Sequence, residues 1–231
     1  MLFSVIRNLI AGYPVDFMSV LAQVLSVLFV IFVILPLHEF AHAWVATKLG
    51  DPTPKVDGRL TLNPLVSIDP LGAGMLLLFG FGWAKPVQVN PRNFKNPKRD
   101  MAITALAGPV SNLLAALVGA VILVAIQIFA TPNEGIQFLF NVLYYYVIVN
   151  VSLAVFNLLP VPPLDGSRIV AAFLSDRALE TYYRYQRYFV MGLYLLMFTG
   201  ALSGPLGWLQ QIFGNAIFWV AQLPFKLFGV L

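Results

Sequence analysis

The chain has two histidines, and they lie four residues apart in the sequence His38-Glu39-Phe40-Ala41-His42. On an α-helix this spacing places both imidazoles on one face, about one turn apart, where they can bind the same metal ion. Glu39 lies between them and could take a proton from water at that ion. By composition alone the arrangement is on the order of a 10⁻⁴ event. The alternative is a polar cluster that hydrogen-bonds between helices without a metal.

A catalytic zinc ion needs a third protein ligand and an open position for water. The chain has no cysteine and no further histidine, so this ligand has to be a carboxylate, an amide or a backbone group. Asp165 is the best candidate, because the prolines of residues 160–163 enforce an extended backbone before it and Gly166 allows a sharp turn after it. The alternative role for Asp165 is the N-cap of a helix over residues 167–179.

These residues belong to a chain that is too apolar for a soluble domain. Hydrophobic residues make up 59% of it and charged residues 10%, whereas a soluble domain carries about a quarter charged residues. The apolar stretches predicted to be transmembrane helices are residues 17–49, 102–130, 136–159 and 189–202. Residues 206–231 are either a further span or a surface helix. Residues 1–16 carry no cleavable signal and are predicted to be an interfacial segment. We therefore expect a single all-α polytopic membrane domain with about four to five transmembrane helices.

Residues 50–100, between the first and second spans, differ from the rest of the chain. Asn-Pro and Asp-Pro pairs interrupt this region repeatedly, and such pairs do not suit a helix interior. Residues 71–81 are apolar but too few and too rich in glycine to span as a helix, and residues 85–89 are predicted to be extended. At membrane depth such backbone must be covered by protein or line a wet cavity. We predict a re-entrant, β-hairpin-like segment here.

The distribution of basic residues predicts the topology. Of the 14 lysines and arginines, eight lie between Lys48 and Arg99 and four lie between Arg168 and Arg187. With three spans between residues 17 and 159, both basic regions fall on one side of the membrane, which the positive-inside rule makes cytoplasmic. The histidine pair and Asp165 lie near that side, because the first and third spans run in the same direction. We predict a multi-pass protein of the cell membrane, with its active site toward the cytoplasm, that contacts lipid and no nucleic acid.

Four motifs, in order along the chain, resemble the site-2 protease family of intramembrane zinc metalloproteases. The resemblance is greatest to the small bacterial members without PDZ or CBS domains. The motifs are H-E-F-A-H at residues 38–42, N-P followed by I-D-P-L-G within 63–72, A-G-P-V-S-N at 107–112, and an asparagine at 157 followed by L-D-G at 164–166. The resemblance implies that His38, His42 and Asp165 bind one zinc ion and that Glu39 is the base.

The resemblance also has implications for two other residues. It implies that Asn112 lies near the active site and helps to hold the substrate backbone or the developing oxyanion. An interhelical hydrogen bond is the alternative role for Asn112. Many relatives have a histidine where this chain has Ser67, so a polar role of that histidine is not carried over to this chain.

The predicted activity is that of a zinc metalloendopeptidase that cleaves transmembrane-protein substrates in or near their membrane-spanning segments. A helical substrate must unwind locally to expose a carbonyl, and we hypothesise that residues 82–89 offer it a strand edge that includes Val87 and Val89. The alternative is a structural hairpin that plugs the groove. A different class of function, a metal-binding membrane transporter, would use the same His/Asp cluster as a transit site and would need no base at Glu39.

Overall fold

Helices form nearly all of the regular structure of the protein. This computed structural model describes residue 5 and residues 10–14, 17–79 and 82–230. The α-helices in these ranges are α1 (Phe17–Phe29), α2 (Leu35–Lys48), α3 (Thr53–Val56), α4 (Pro64–Ser67), α5 (Pro70–Phe79), α6 (Pro97–Phe129), α7 (Glu134–Asn157), α8 (Asp165–Ala171), α9 (Asp176–Arg184), α10 (Gln186–Phe198) and α11 (Ser203–Leu227). Most of the predicted interfacial segment, residues 1–16, lies outside the described residues and stays a prediction.

Three helical stretches are long and apolar enough to cross a membrane, namely Val27–Lys48, Pro97–Phe129 and Glu134–Asn157. Helices α10 and α11 qualify only as a pair, bent by 87° at their junction, so they add at most one span. An all-helical, multi-pass protein is therefore confirmed, but with three or four candidate spans in the described residues instead of four to five. The difference arises at α10, because its 13 residues give only about 20 Å of helix, less than the hydrocarbon core of about 30 Å.

Helix α2, which carries the histidine pair, continues the first span through a π-helical turn at Val30–Ile34. The Leu35 N–H donates to the Val30 carbonyl, five residues earlier. Pro36 follows, and its missing N–H removes one α-helical hydrogen bond. The π turn is a local adjustment that lets the helix continue without a break. The buried face of α2 then packs against α6.

Helix α6 is the central element of the fold and contacts α2, α7, α8 and α11. Small or β-branched side chains form the core between α6, α7 and α11, among them Ala116, Ala120, Val147, Val151 and Ala221, all of them buried. Side chains of this size let helices approach closely, which stabilises helix packing within a membrane. The packing against α7 and α11 holds the second half of α6 in place. Its first half packs against α2 and α8 instead.

The region between the first two spans differs from the predicted β-hairpin-like segment. Pro70–Phe79 form a helix, and the Asp69 carboxylate accepts a hydrogen bond from the Gly72 N–H at its start, at 2.8 Å. Residues 82–90 return as extended chain, so close to α5 that a Cβ on Gly72 or Gly82 would lie 2.1 Å from a backbone oxygen. No strand occurs in the described residues, so the hairpin is not confirmed. The extended chain has no second strand beside it, and its backbone bonds largely to side chains instead.

Candidate metal centre

Three side chains bring one donor atom each to a common point. Nε2 of His38 and Nε2 of His42 are 3.0 Å apart, and each lies 3.2 Å from Oδ2 of Asp165. The histidines project from the buried face of α2, whereas Asp165 is the first residue of α8. All three side chains are largely buried, with at most 13% of their surface exposed. The aspartate therefore joins the histidines although more than a hundred residues separate them in sequence.

This donor set fits a zinc ion. Nitrogen and oxygen ligands lie about 2.0–2.1 Å from zinc in a tetrahedral arrangement, which places donor atoms about 3.3 Å apart. The three observed separations, between 3.0 and 3.2 Å, are close to that value. Three protein ligands leave a fourth position open, as in catalytic zinc sites. Elsewhere in the described part of the chain, no other group of three metal-ligating side chains converges in this way.

A backbone hydrogen bond orients His42. Its Nδ1 lies 2.7 Å from the carbonyl oxygen of Thr104 in α6, so Nδ1 carries a proton and donates it. Nε2 then keeps its lone pair toward the common point, in the tautomer that binds a metal. Thr104 is itself fully buried, and its hydroxyl donates to the carbonyl of Asp100 one turn earlier. The wall of α6 thus sets the direction of one ligand.

Gly108 allows α6 to approach the ligands closely. A Cβ at this position would lie 2.4 Å from Nε2 of His42 and 2.5 Å from Nε2 of His38. Any larger residue would therefore displace the imidazoles. Glycine inside a helix costs about 1 kcal/mol relative to alanine. The close packing of α6 against the metal ligands explains why a glycine is needed here despite that cost.

A cavity of about 310 Å³ opens onto the three donor atoms and also contains Glu39. Oε2 of Glu39 accepts a hydrogen bond from the Val87 N–H at 3.0 Å and lies 4.0 Å from the guanidinium of Arg59. The apolar part of the lining includes Leu35, Trp83, Pro86, Val89, Leu153 and Phe156. A cavity with apolar walls, a metal-binding cluster and a single adjacent carboxylate can bind a peptide and move a proton.

Comparison with known proteins places the chain in a family. Residues 124–200 match the sequence profile of peptidase family M50. YwhC of Bacillus subtilis, which is named as a candidate zinc metalloprotease, is 43% identical over 163 residues, 68% of this chain and 70% of YwhC. Rip2 of Mycobacterium tuberculosis, named in the same way, is 30% identical over 188 residues, 77% of this chain and 70% of Rip2. The chain belongs to peptidase family M50. No solved structure matches it.

Membership of the M50 family confirms the predicted site-2 protease family, the metalloprotease activity and zinc as the metal. The M50 profile covers Asp165, but its match begins at residue 124, well after the histidine pair. The structure supplies the connection, since it brings that aspartate to the two imidazoles. The relatives are named as proteases, so the comparisons do not favour the transporter alternative.

Most of the site residues predicted for this M50 protease line one cavity, namely His38, Glu39, His42, Val87, Val89 and Asp165. Asn112 is not among the lining residues. It is fully buried in α6, one turn beyond Gly108, and neither polar atom of its side chain has a hydrogen-bond partner in the described residues. The interhelical hydrogen bond considered for Asn112 is therefore not formed here.

Three residues of this M50 site were missed by reasoning from the sequence. Thr104 acts through its backbone carbonyl, so its side chain gives no signal. Gly108 was noted only as part of a motif, although an unexplained glycine within a helix could have indicated close packing. Arg59 lies in a polar connector where a charged residue is unremarkable, yet it is buried beside Glu39.

Asp51 anchors the far end of the extended chain that lines the cavity. Its buried carboxylate accepts hydrogen bonds from the Thr53 hydroxyl at 2.6 Å, the Asn93 side-chain amide at 2.7 Å and the Asn90 N–H at 2.8 Å. Burial acts to raise the pKa of Asp51, but these hydrogen bonds favour the ionised form more strongly, and the net pKa is lowered. Asp51 is therefore a carboxylate at neutral pH that ties residue 90 to the end of α2.

Proposed function

We propose that this M50 chain hydrolyses peptide bonds in or near the transmembrane segments of other membrane proteins. The observation that carries the proposal is the convergence of two imidazoles and a carboxylate, beside Glu39, in a cavity between membrane-spanning helices. The basic connectors support an orientation with this cavity toward the cytoplasmic side of the cell membrane. Water then has a short path to the reacting bond.

In this proposal His38, His42 and Asp165 hold one zinc ion. Zinc, when bound there, supplies Lewis-acid chemistry that polarises the scissile carbonyl and lowers the pKa of water toward neutrality. Glu39 takes a proton from the attacking water and delivers it to the leaving amine. Its carboxylate is suited to this role because it shares the cavity with the ligands and already accepts a hydrogen bond from Val87.

The substrate backbone pairs with the extended chain at residues 82–89. The Val87 N–H is already bonded to Glu39, whereas the Val89 N–H has no partner in the described residues. Of these two valines, Val89 is therefore the one that offers a free donor to an unwound substrate, as in strand addition. Val89→Pro removes this donor and should raise KM, with zinc content unchanged. An unaltered KM for a model transmembrane substrate would remove the pairing hypothesis.

Asn112 is proposed as a polar contact for the substrate backbone or the oxyanion. Its amide is buried without a partner, one helical turn from the glycine that touches both histidines. An unpaired buried amide is costly unless a bound group satisfies it. We expect Asn112→Ala to lower kcat without loss of zinc. If cleavage by this variant matches wild type, Asn112 has no part in the reaction.

The decisive experiment separates metal binding from proton transfer. Wild type and variants are purified in detergent, their zinc content is measured, and cleavage of a panel of transmembrane peptides is followed. Glu39→Gln should keep its zinc and lose about 10²–10⁴-fold in kcat, the usual contribution of a general base. His38→Ala, His42→Ala and Asp165→Ala should lose zinc as well.

The matched control is Glu180→Gln, the same chemical change at an exposed glutamate of α9 that pairs with Arg184. It should retain both zinc and activity. Full activity in Glu39→Gln would refute the proposed mechanism, and full zinc content in Asp165→Ala would refute the proposed ligand set.

A further inference from the structure

Arg59, in the connector between α3 and α4, has a buried guanidinium with only 7% of its side chain exposed. One amino group donates to the carbonyl of Val66 in α4, and the other donates to the carbonyl of Lys85 in the extended chain. The guanidinium also lies 4.0 Å from Oε2 of Glu39. A single side chain thus contacts α4, the extended chain and the carboxylate beside the metal ligands.

The extended chain has few other attachments. The Lys85 N–H donates to the Ser67 carbonyl at 2.9 Å, the Val87 N–H donates to Glu39 at 3.0 Å, and the Asn90 N–H donates to Asp51 at 2.8 Å. No ladder of backbone hydrogen bonds supports it, because no strand lies beside it in the described residues. Its position at the cavity therefore depends on one backbone hydrogen bond and a small number of side-chain contacts, and Arg59 makes the side-chain contact nearest its start.

Burial of a guanidinium is unfavourable unless its charge and its donors are satisfied. Here the planar fork of Arg59 meets two carbonyl oxygens, and the carboxylate of Glu39 supplies an opposite charge nearby. Removal of the guanidinium would take its donors away from the Val66 and Lys85 carbonyls and would leave Glu39 without its neighbouring cation. Both changes weaken the attachment of residues 85–87 at the place where Glu39 lines the cavity.

We propose that Arg59 is a positioning residue for proteolysis, which holds residues 85–87 and the Glu39 carboxylate in place beside the metal centre. This inference rests on the proposed role of Glu39. Arg59 touches neither the metal ligands nor, in this proposal, the substrate. It acts through the extended chain and through Glu39, so its loss should leave zinc bound and should impair cleavage.

The first experiment measures the attachment directly and does not depend on activity. Amide hydrogen exchange of residues 82–93 is followed by mass spectrometry in wild type and in Arg59→Ala, both loaded with zinc. Exchange should be about tenfold faster in the variant, because local opening of the extended chain becomes easier. The control is Lys55→Ala, which removes an exposed cation four residues earlier and should exchange like wild type. Equal exchange in Arg59→Ala and wild type overturns the proposal.

The second experiment measures the consequence for catalysis. Arg59→Ala should keep one zinc ion per chain and lose about 10²-fold in kcat/KM, the effect expected when a reacting group is misplaced by about 1 Å. The kcat/KM of Arg59→Lys should lie between those of wild type and Arg59→Ala, since an ammonium can bond one of the carbonyls but not both in the same plane. Guanidinium ion added at millimolar concentration should restore part of the cleavage by Arg59→Ala and none of that by Glu39→Gln, a rescue that a merely destabilised protein would not show.

The outcomes distinguish this inference from the proposed function. If wild type cleaves no transmembrane peptide, the proposed function fails, while hydrogen exchange still decides whether Arg59 holds the extended chain. If wild type cleaves and Arg59→Ala cleaves equally well, the inference about Arg59 fails alone. Loss of zinc in Arg59→Ala also overturns it, because the role of Arg59 would then extend to the ligands.

Discussion

The metal ligands and the extended chain beside them are held in place by different means. His38 and His42 belong to a long helix whose own backbone hydrogen bonds position them, and α6 presses against that helix. Residues 82–90 have neither helical nor sheet hydrogen bonds and are attached through side chains such as Arg59 and Asp51. Changes near the ligands should therefore affect zinc binding, whereas changes along the extended chain should affect the rate and leave zinc in place.

The largest effect is expected for Gly108→Ala. The added Cβ would lie 2.4 Å from Nε2 of His42, so the imidazoles must move. We expect loss of zinc and a fall in cleavage of at least about 10²-fold, measured by metal analysis and peptide assay. The control is Gly207→Ala in α11, where a Cβ meets nothing within 4 Å. That variant should keep its zinc. A fully active Gly108→Ala would show that α6 does not restrict the ligands.

A smaller effect is expected for Val87→Pro in the extended chain. Proline removes the N–H that donates to Glu39, a hydrogen bond to a charged group that contributes about 1.5–3 kcal/mol. We expect kcat to fall by about 10- to 100-fold with one zinc ion still bound, which contrasts with Gly108→Ala. Zinc loss in this variant would show that the extended chain also holds the metal ligands in place.

Asp51→Asn is expected to lower the stability of the fold more than it lowers the rate of cleavage. The pKa of Asp51 is lowered in the folded protein, so its carboxylate stabilises the fold at pH values above its ordinary pKa of about 3.9. This stabilisation is lost as the pH falls through the lowered value. At pH 7 the variant should be less stable by about 1–3 kcal/mol. Thermal unfolding should show the two proteins converging below about pH 4, and a difference independent of pH would contradict this role.

The smallest effect is expected for Lys98→Ala. Lys98 pairs with Asp176 at 2.7 Å, but the aspartate side chain is 95% exposed. Ion pairs at such exposed positions contribute little to stability. We expect the same midpoint of thermal unfolding, zinc content and kcat/KM as in wild type. A clear loss of cleavage would show that the contact between α6 and α9 helps to position the residues of the site.

The three long helical spans and the histidine pair were predictable because their signals are local. A helix repeats every 3.6 residues, so a spacing of four places two ligands on one face wherever the helix lies. Asp165 could be selected from the ten acidic residues because a proline-rich extended stretch precedes it and Gly166 follows it. The β-hairpin-like segment was not confirmed, because apolar character and short length did not distinguish helix α5 from a strand.

The membrane environment, the family and the residue types available to bind zinc follow from composition and short motifs, so they can be read from the amino-acid sequence. The surroundings of those residues follow from the packing of the helices. The Thr104 carbonyl that orients His42 lies 62 residues away from it, and the Val87 N–H lies 48 residues from Glu39. Such contacts depend on how α2, α6 and the extended chain pack in space, and the spacing of residues along the chain does not predict that packing.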